Sequence, residues 1–159
     1  MTLATLAWLS MAAYSMHILE EYAFDWRNWA RQVIGLPVEW NDFYVTNAVV
    51  VALGIAQAEL ASALPLAPLS FAALMLINAM LFHVAPFIRE KGRFSPGLLT
   101  AVALFVPLGI ATFARAISTG QADAGTVIAS FVVGGLIMAF PIVMLNVKSK
   151  PYFVQEKAR

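Results

Sequence analysis

Residues 66–88 read LAPLSFAALMLINAMLFHVAPFI, without one Asp, Glu, Lys or Arg. A helix needs ~20 largely apolar residues to cross a ~30 Å hydrocarbon core, and this stretch is long enough. Four more stretches of the same kind flank it, at about 3–24, 43–64, 96–117 and 125–147. The composition agrees. Of 159 residues, 61% are hydrophobic and 12% charged, whereas an ordinary soluble domain is ~45–50% apolar and ~25% charged. The mean hydropathy is +0.78. A soluble globule of this size buries only ~70% of its chain surface and could not hide so much apolar material. The reading is all-α: a single domain over residues 1–159, an integral membrane bundle of five transmembrane helices. The chain has no cysteine, which removes disulfides, thiolate metal sites and cysteine nucleophiles. A formal net charge of +1 argues against nucleic acid as a partner.

The breaks between spans have chemical reasons. Pro65 separates the second and third as a tight hairpin. Ser95-Pro96 reads as a helix start, with serine capping and proline at the first helical position. Pro107 and Pro141 lie inside spans and are expected to kink them. The first stretch lacks a basic n-region and is not read as a signal peptide. Between the first two spans, Trp26, Trp29, Ala30 and Val33 recur at helical spacing, with Arg27, Asn28, Arg31 and Gln32 on other faces. Asp25 can cap this segment and Gly35 can end it. It is read as a short amphipathic helix in the headgroup layer, where tryptophan prefers to sit.

Five spans place Arg27, Arg31, Arg89, Lys91, Arg93, Lys148, Lys150, Lys157 and Arg159 on one side and leave Arg115 alone on the other. By the positive-inside rule the N-terminus is outside and the C-terminus cytoplasmic, in the cytoplasmic (inner) membrane. Glu59 and Arg115 fall at the outer end, and the tail from Lys148 reads as an inner-leaflet anchor on membrane lipid.

Ionisable groups inside spans cost ~2.5–3.5 kcal/mol each at mid-membrane on insertion scales, so they require a reason. The first span carries His17, Glu20 and Glu21, which at ~100° per residue can converge on one point. Tyr14 and Phe24 fall near that face; Tyr22 is turned away. The third span holds Asn78 and His83, the second opens with Asn47, the fourth begins near Thr100 and the fifth closes with Asn146. The topology brings all of these to one depth, toward the inner leaflet. On an ideal helix Asn78 and His83 are ~140° apart, so a shared cavity would require bending.

The string His17-Ile18-Leu19-Glu20-Glu21 resembles the hallmark of the HXXEE family of membrane proteins. His83, followed by Phe94-Ser95-Pro96-Gly97-Leu98-Leu99-Thr100, is similar to the family's second element, a His and then YxPGxxT, with Phe94 in place of the tyrosine. The resemblance implies a multi-span membrane protein, suspected of being an enzyme, with His17, Glu20, Glu21 and His83 as its polar centre. It implies no substrate.

Three chemistries fit these residues. Two imidazoles and two carboxylates suit one divalent transition metal, zinc, iron or manganese, in an enzyme acting on a small lipophilic substrate. His17, Glu20, Glu21 and His83 are then both ligand and catalytic candidates, with Asn47, Asn78, Thr100 and Asn146 secondary. Alternatively, the glutamates split into an acid and a base for metal-free isomerisation or cyclisation of a lipid-like molecule. The third reading is an ion or proton site, or a polar network that fixes helix packing. The oligomeric state is left open.

Overall fold

The computed structural model describes residues 1–148 and 150–153. Among them all regular structure is helical. Helix α1 covers Leu3–Ala23, α2 Trp26–Val33 and α3 Trp40–Leu60. Helix α4 runs over Leu66–Arg89, α5 over Leu98–Ser118 and α6 over Ala124–Lys148. Of the basic residues counted above, Lys157 and Arg159 lie outside the described residues.

Four helices, α3 to α6, are long and apolar enough to cross a membrane, where the sequence reading expects five. The difference is α1. It has 21 residues, as many as α3, but His17, Glu20 and Glu21 make its last turns polar. Those three side chains are turned into the bundle and buried, together with Leu6, Ser10, Ala13 and Tyr14. Apolarity averaged along the helix therefore understates how apolar its outer face is: Leu9, Met16 and Leu19 are exposed.

Helix α4 is the hub, packed against α6, α5, α3 and α1. Gly134 makes the α4–α6 contact close. A Cβ there would stand 2.8 Å from both the Ser70 carbonyl oxygen and the Leu74 nitrogen, and backbone cannot yield as a side chain can. The core between the helices contains Tyr14, Phe71, Met75 and Phe105.

Two helices change their hydrogen-bond period at the same level. In α4, residues Ala79–Val84 are π-helical before Pro86; in α5, Ala101–Phe105 are π-helical before Pro107. Proline lacks an N–H and its ring crowds the carbonyl four residues earlier, so a widened turn upstream of each relieves the mismatch. The two π segments pack on each other through Ala79, Ala101 and Phe105.

The start of α5 departs from expectation. Ser95 does not cap it. The cap position is Gly97, at φ 95, a left-handed conformation that glycine adopts without penalty. The Ser95 side chain is buried and turned to other partners. By contrast, Asp25 caps α2 as expected, accepting from the Asn28 N–H, and Gly35 follows that helix at φ 67.

Helix α2 is amphipathic, but its tryptophans point inward. Trp29 and Ala30 are buried against Val38 and Leu145, so α2 closes one end of the bundle instead of anchoring in headgroups through Trp29. Salt links fasten it there. Arg27 and Arg31 both pair with Glu39. The Arg27 hydrogen bond, and then that of Arg31, hold the Glu39 carboxyl below its ordinary range. Arg89 donates to the Val33 carbonyl at 2.9 Å and Arg93 to Gln32 at 3.2 Å, while Lys148 pairs with Asp42. Five basic residues from four parts of the chain thus gather at one end.

Gly134→Val is expected to part α4 from α6 and lower the thermal unfolding midpoint in detergent. Gly135→Val, where the nearest atom to a new Cβ is Ile77 Cδ1 at 3.9 Å, is the matched control and is expected to leave the midpoint unchanged.

Candidate functional site

Glutamates 20 and 21 are neighbours in sequence, yet they do different work. On a helix they point ~100° apart. The Glu20 carboxylate reaches the first turn of α5. It accepts from the Gly97 and Leu99 N–H groups, each at 3.1 Å, from the Thr100 N–H at 2.8 Å and from the Thr100 hydroxyl at 2.6 Å. The first N–H groups of a helix have no partner of their own and carry the positive end of its dipole. Gly97 has no side chain to serve them, and a carboxylate from α1 does so instead. With both oxygens so engaged, Glu20 is a cap supplied from another helix, and it is absent from the potential ligand group formed by His17, Glu21 and His83.

The Thr100 hydroxyl fixes the first imidazole. Its single proton goes to Glu20, because a carboxylate only accepts. Toward His17 Nδ1, at 2.8 Å, its oxygen must therefore accept, and Nδ1 carries the hydrogen. Ser95 treats the second imidazole likewise. Its proton has the Phe82 carbonyl at 3.4 Å, which Pro86 leaves without its helical N–H, and its oxygen faces His83 Nδ1 at 3.0 Å. His17 consequently turns an unprotonated Nε2 the other way, and the His83 ring turns its Nε2 to the same side. Both Nε2 atoms are buried and lack a hydrogen-bond partner among the described residues.

Those two nitrogens converge on one atom. Glu21 Oε1 is 3.5 Å from His17 Nε2 and 3.6 Å from His83 Nε2. These separations are longer than good N–H···O hydrogen bonds. They are close to the ~3.4 Å edge of a tetrahedron whose centre lies ~2.1 Å from each ligand, the usual zinc–nitrogen and zinc–oxygen distance. The three ligand atoms lie within 4.8 Å of one another. Imidazole Nε2 toward an ion with Nδ1–H held by an oxygen is the usual outer arrangement of a metal-bound histidine.

Around this centre the packing is tight. His17 and His83 are fully buried and meet edge to face at 4.8 Å; Phe105 lies 4.4 Å from the His17 ring. A Cβ on Gly97 would come within 2.6 Å of His83 Cε1 and 2.7 Å of His17 Cε1, so Gly97 roofs both rings. The π segment of α4 bears on the rotation of Asn78 and His83, although the cavity that Asn78 lines is not lined by His83. Asn78 and His83 are five residues apart, the hydrogen-bonded repeat of a π turn, so the widened turn brings them toward one side. His83 meets Glu21, and Asn78 lines a cavity that Glu21 also lines.

The other expected residues are divided. Thr100 is in the centre. Asn47 is buried on α3, with its amide N–H on its own helix at the Phe43 carbonyl, and it lines the same cavity as Asn78. Asn146 is exposed on α6, its amide donating to the Ile142 carbonyl, and it does not line the cavity. Phe24 and Phe94 are both exposed and pack on each other at 5.4 Å, so the tyrosine that Phe94 replaces would not bring a hydroxyl to the imidazoles. Ser95 and Gly97 were visible in the sequence as helix-start residues and within the stretch that resembles the family's second element. Nothing in their spacing indicates that they brace and roof the histidines.

The family described as "Protein of unknown function with HXXEE motif" matches residues 8–112. The chain belongs to the HXXEE family. That match spans every residue of the centre, from His17 to Thr100, and stops before α6. In this member the HXXEE string thus supplies two site side chains, His17 and Glu21, and one helix cap, Glu20. No curated protein and no solved structure matches the chain.

The two glutamates are expected to respond oppositely to amidation. Glu20→Gln loses charge-assisted bonds worth ~1.5–3 kcal/mol each and should lower the unfolding midpoint of metal-free protein. Glu21→Gln removes a buried carboxylate that has no Lys or Arg partner among the described residues and should leave that midpoint unchanged or raise it. Thermal scans of chelator-treated protein in detergent check both.

Proposed function

We propose that the protein is a metal-dependent membrane enzyme acting on a lipid-soluble substrate, with His17, Glu21 and His83 holding one divalent transition metal. The observation that carries this reading is the pair of buried, unpartnered Nε2 atoms aimed at one Glu21 oxygen. Two imidazole nitrogens sharing one carboxylate oxygen at 3.5 and 3.6 Å, longer than good hydrogen bonds, is an arrangement that a cation between them would satisfy. Two histidines and one carboxylate leave coordination positions open, as catalytic zinc and non-haem iron sites do. The metal would supply Lewis acidity and an activated water. The chain's own residues orient the rings through Thr100 and Ser95, exclude bulk water with Phe105 and Gly97, and present Glu21 to the neighbouring cavity. One doubly charged cation would also balance the two carboxylates of α1.

We further propose that α1 is a fifth span. It matches α3 in length and packs alongside it. Gln57, far along α3, donates to the Ala7 carbonyl at 2.9 Å, while the metal-binding group lies at the opposite end of α1. The basic residues gathered around α2 favour the cytoplasm for that end and place the N-terminus outside.

Purified protein is expected to contain about one equivalent of zinc, iron or manganese by elemental analysis, matching its single group of three ligands. His17→Ala, Glu21→Gln and His83→Ala should each abolish it. Metal at wild-type stoichiometry in these variants, or substrate turnover by fully stripped protein, overturns the reading. Topology has a separate check, since the chain contains no cysteine. A single cysteine at Thr2 should react in intact cells with a membrane-impermeant maleimide. One at Arg93 should react only after lysis.

A further inference from the structure

Beside the metal-binding group lies a cavity of about 90 Å³ between α1, α3, α4 and α6. It is mostly apolar, with Val50, Leu74, Ile137 and Leu145 among its walls, and its polar groups are of a restricted kind. Glu21 turns toward it from the metal-binding group. Asn78 is buried, and its Oδ1 has no hydrogen-bond partner among the described residues. Asn47 has placed one N–H on the Phe43 carbonyl, which leaves its oxygen and its second N–H to offer. The donors that face these acceptors are the Trp26 indole N–H, which is also buried and unpartnered, and the hydroxyls of Tyr14 and Thr46. Asp42, paired with Lys148, is the other carboxylate of the lining, and no Lys, Arg or His lines the cavity.

From this we infer that the cavity binds the head of an uncharged long-chain alcohol and sets its hydroxyl beside Glu21. A hydroxyl donates once and accepts twice. It can give its proton to Asn78 or Glu21 while taking one from Trp26. In the metal-free protein a fatty acid or phospholipid head would bring negative charge beside Glu21, which has no Lys or Arg partner among the described residues, and an unpaired buried charge is among the costliest things a protein can enclose. At ~30 Å³ per water-sized group, the cavity takes the head and the first few carbons. The rest of the chain has a place to lie. Phe43 and Asn47 also line a groove on the outer face between α1 and α3, together with Ile18, Leu19 and Val51. The cavity and the groove therefore share Phe43 and Asn47 as a wall, and on this inference the tail passes between these two side chains into the groove. This deepens the metal-enzyme reading and rests on it for the chemistry, though not for the binding.

The test is photolabelling of the full-length protein in detergent. One probe is dodecanol with a diazirine near the hydroxyl end, and the other is the matching dodecanoic acid. The alcohol is expected to label cavity walls such as Ile137 and Pro141 saturably, with the acid roughly tenfold weaker there. Asn78→Leu, at nearly constant volume, should weaken alcohol labelling by roughly tenfold, the equivalent of one hydrogen bond. Ile142→Trp, which fills the cavity from α6, should abolish it; both variants are first checked for a wild-type elution volume and unfolding midpoint. Equal labelling by acid and alcohol, labelling confined to outward residues such as Leu19 and Tyr44, or no response to either variant overturns the inference. Each sample is run metal-stripped and zinc-loaded. Cavity labelling in protein that never binds metal supports the alcohol site and sinks the metal reading. Stoichiometric metal without cavity labelling does the reverse.

Discussion

The Glu20 carboxylate on the N-terminus of α5 is the contact on which the arrangement depends. It joins the end of one helix to the beginning of another that is distant in sequence. It does so with charge-assisted bonds in surroundings poor in competing water, where such bonds are strongest. By fixing Thr100 it orients His17, and by fixing the turn through Gly97 it sets the roof over both imidazoles. Ser95 enters from the same turn to orient His83. The loop between α4 and α5 is thus an outer support, and the two histidines it braces come from different helices.

The second constraint is proline in a membrane helix. Pro86 and Pro107 each free a carbonyl and impose a widened turn upstream. In α4 the widened turn brings Asn78 and His83 toward one side, and the freed Phe82 carbonyl takes the Ser95 proton. In α5 it brings Phe105 against His17. What is a defect in helix geometry becomes the means of pointing side chains, which fits the frequent appearance of π-bulges at functional sites.

Much of this was legible in the residues. Apolar length and the sparse charges defined the helices to within a few residues, because the cost of an unpaired backbone in lipid leaves helix as the regular structure that a single apolar stretch can form. The gathering of His17, Glu20, Glu21, His83 and Thr100 at one level followed from alternating helix direction. Depth was readable for Asn146 as well, but the direction a side chain faces was not, and Asn146 is exposed on α6. Trp29 was misread because an amphipathic face looks alike whether it meets lipid or a bundle end.

The sequence by itself determined that this is a helical chain with helices long and apolar enough to cross a membrane and with both histidines and the adjacent glutamates of α1 at one level, since both properties depend on hydrophobic length and residue order. Only the tertiary structure decided that Glu21 faces the imidazoles while Glu20 caps a helix. Adjacent positions on α1 differ by a rotation, and what each one meets is set by α4 and α5, whose own rotation depends on the prolines and on the close approach at Gly97.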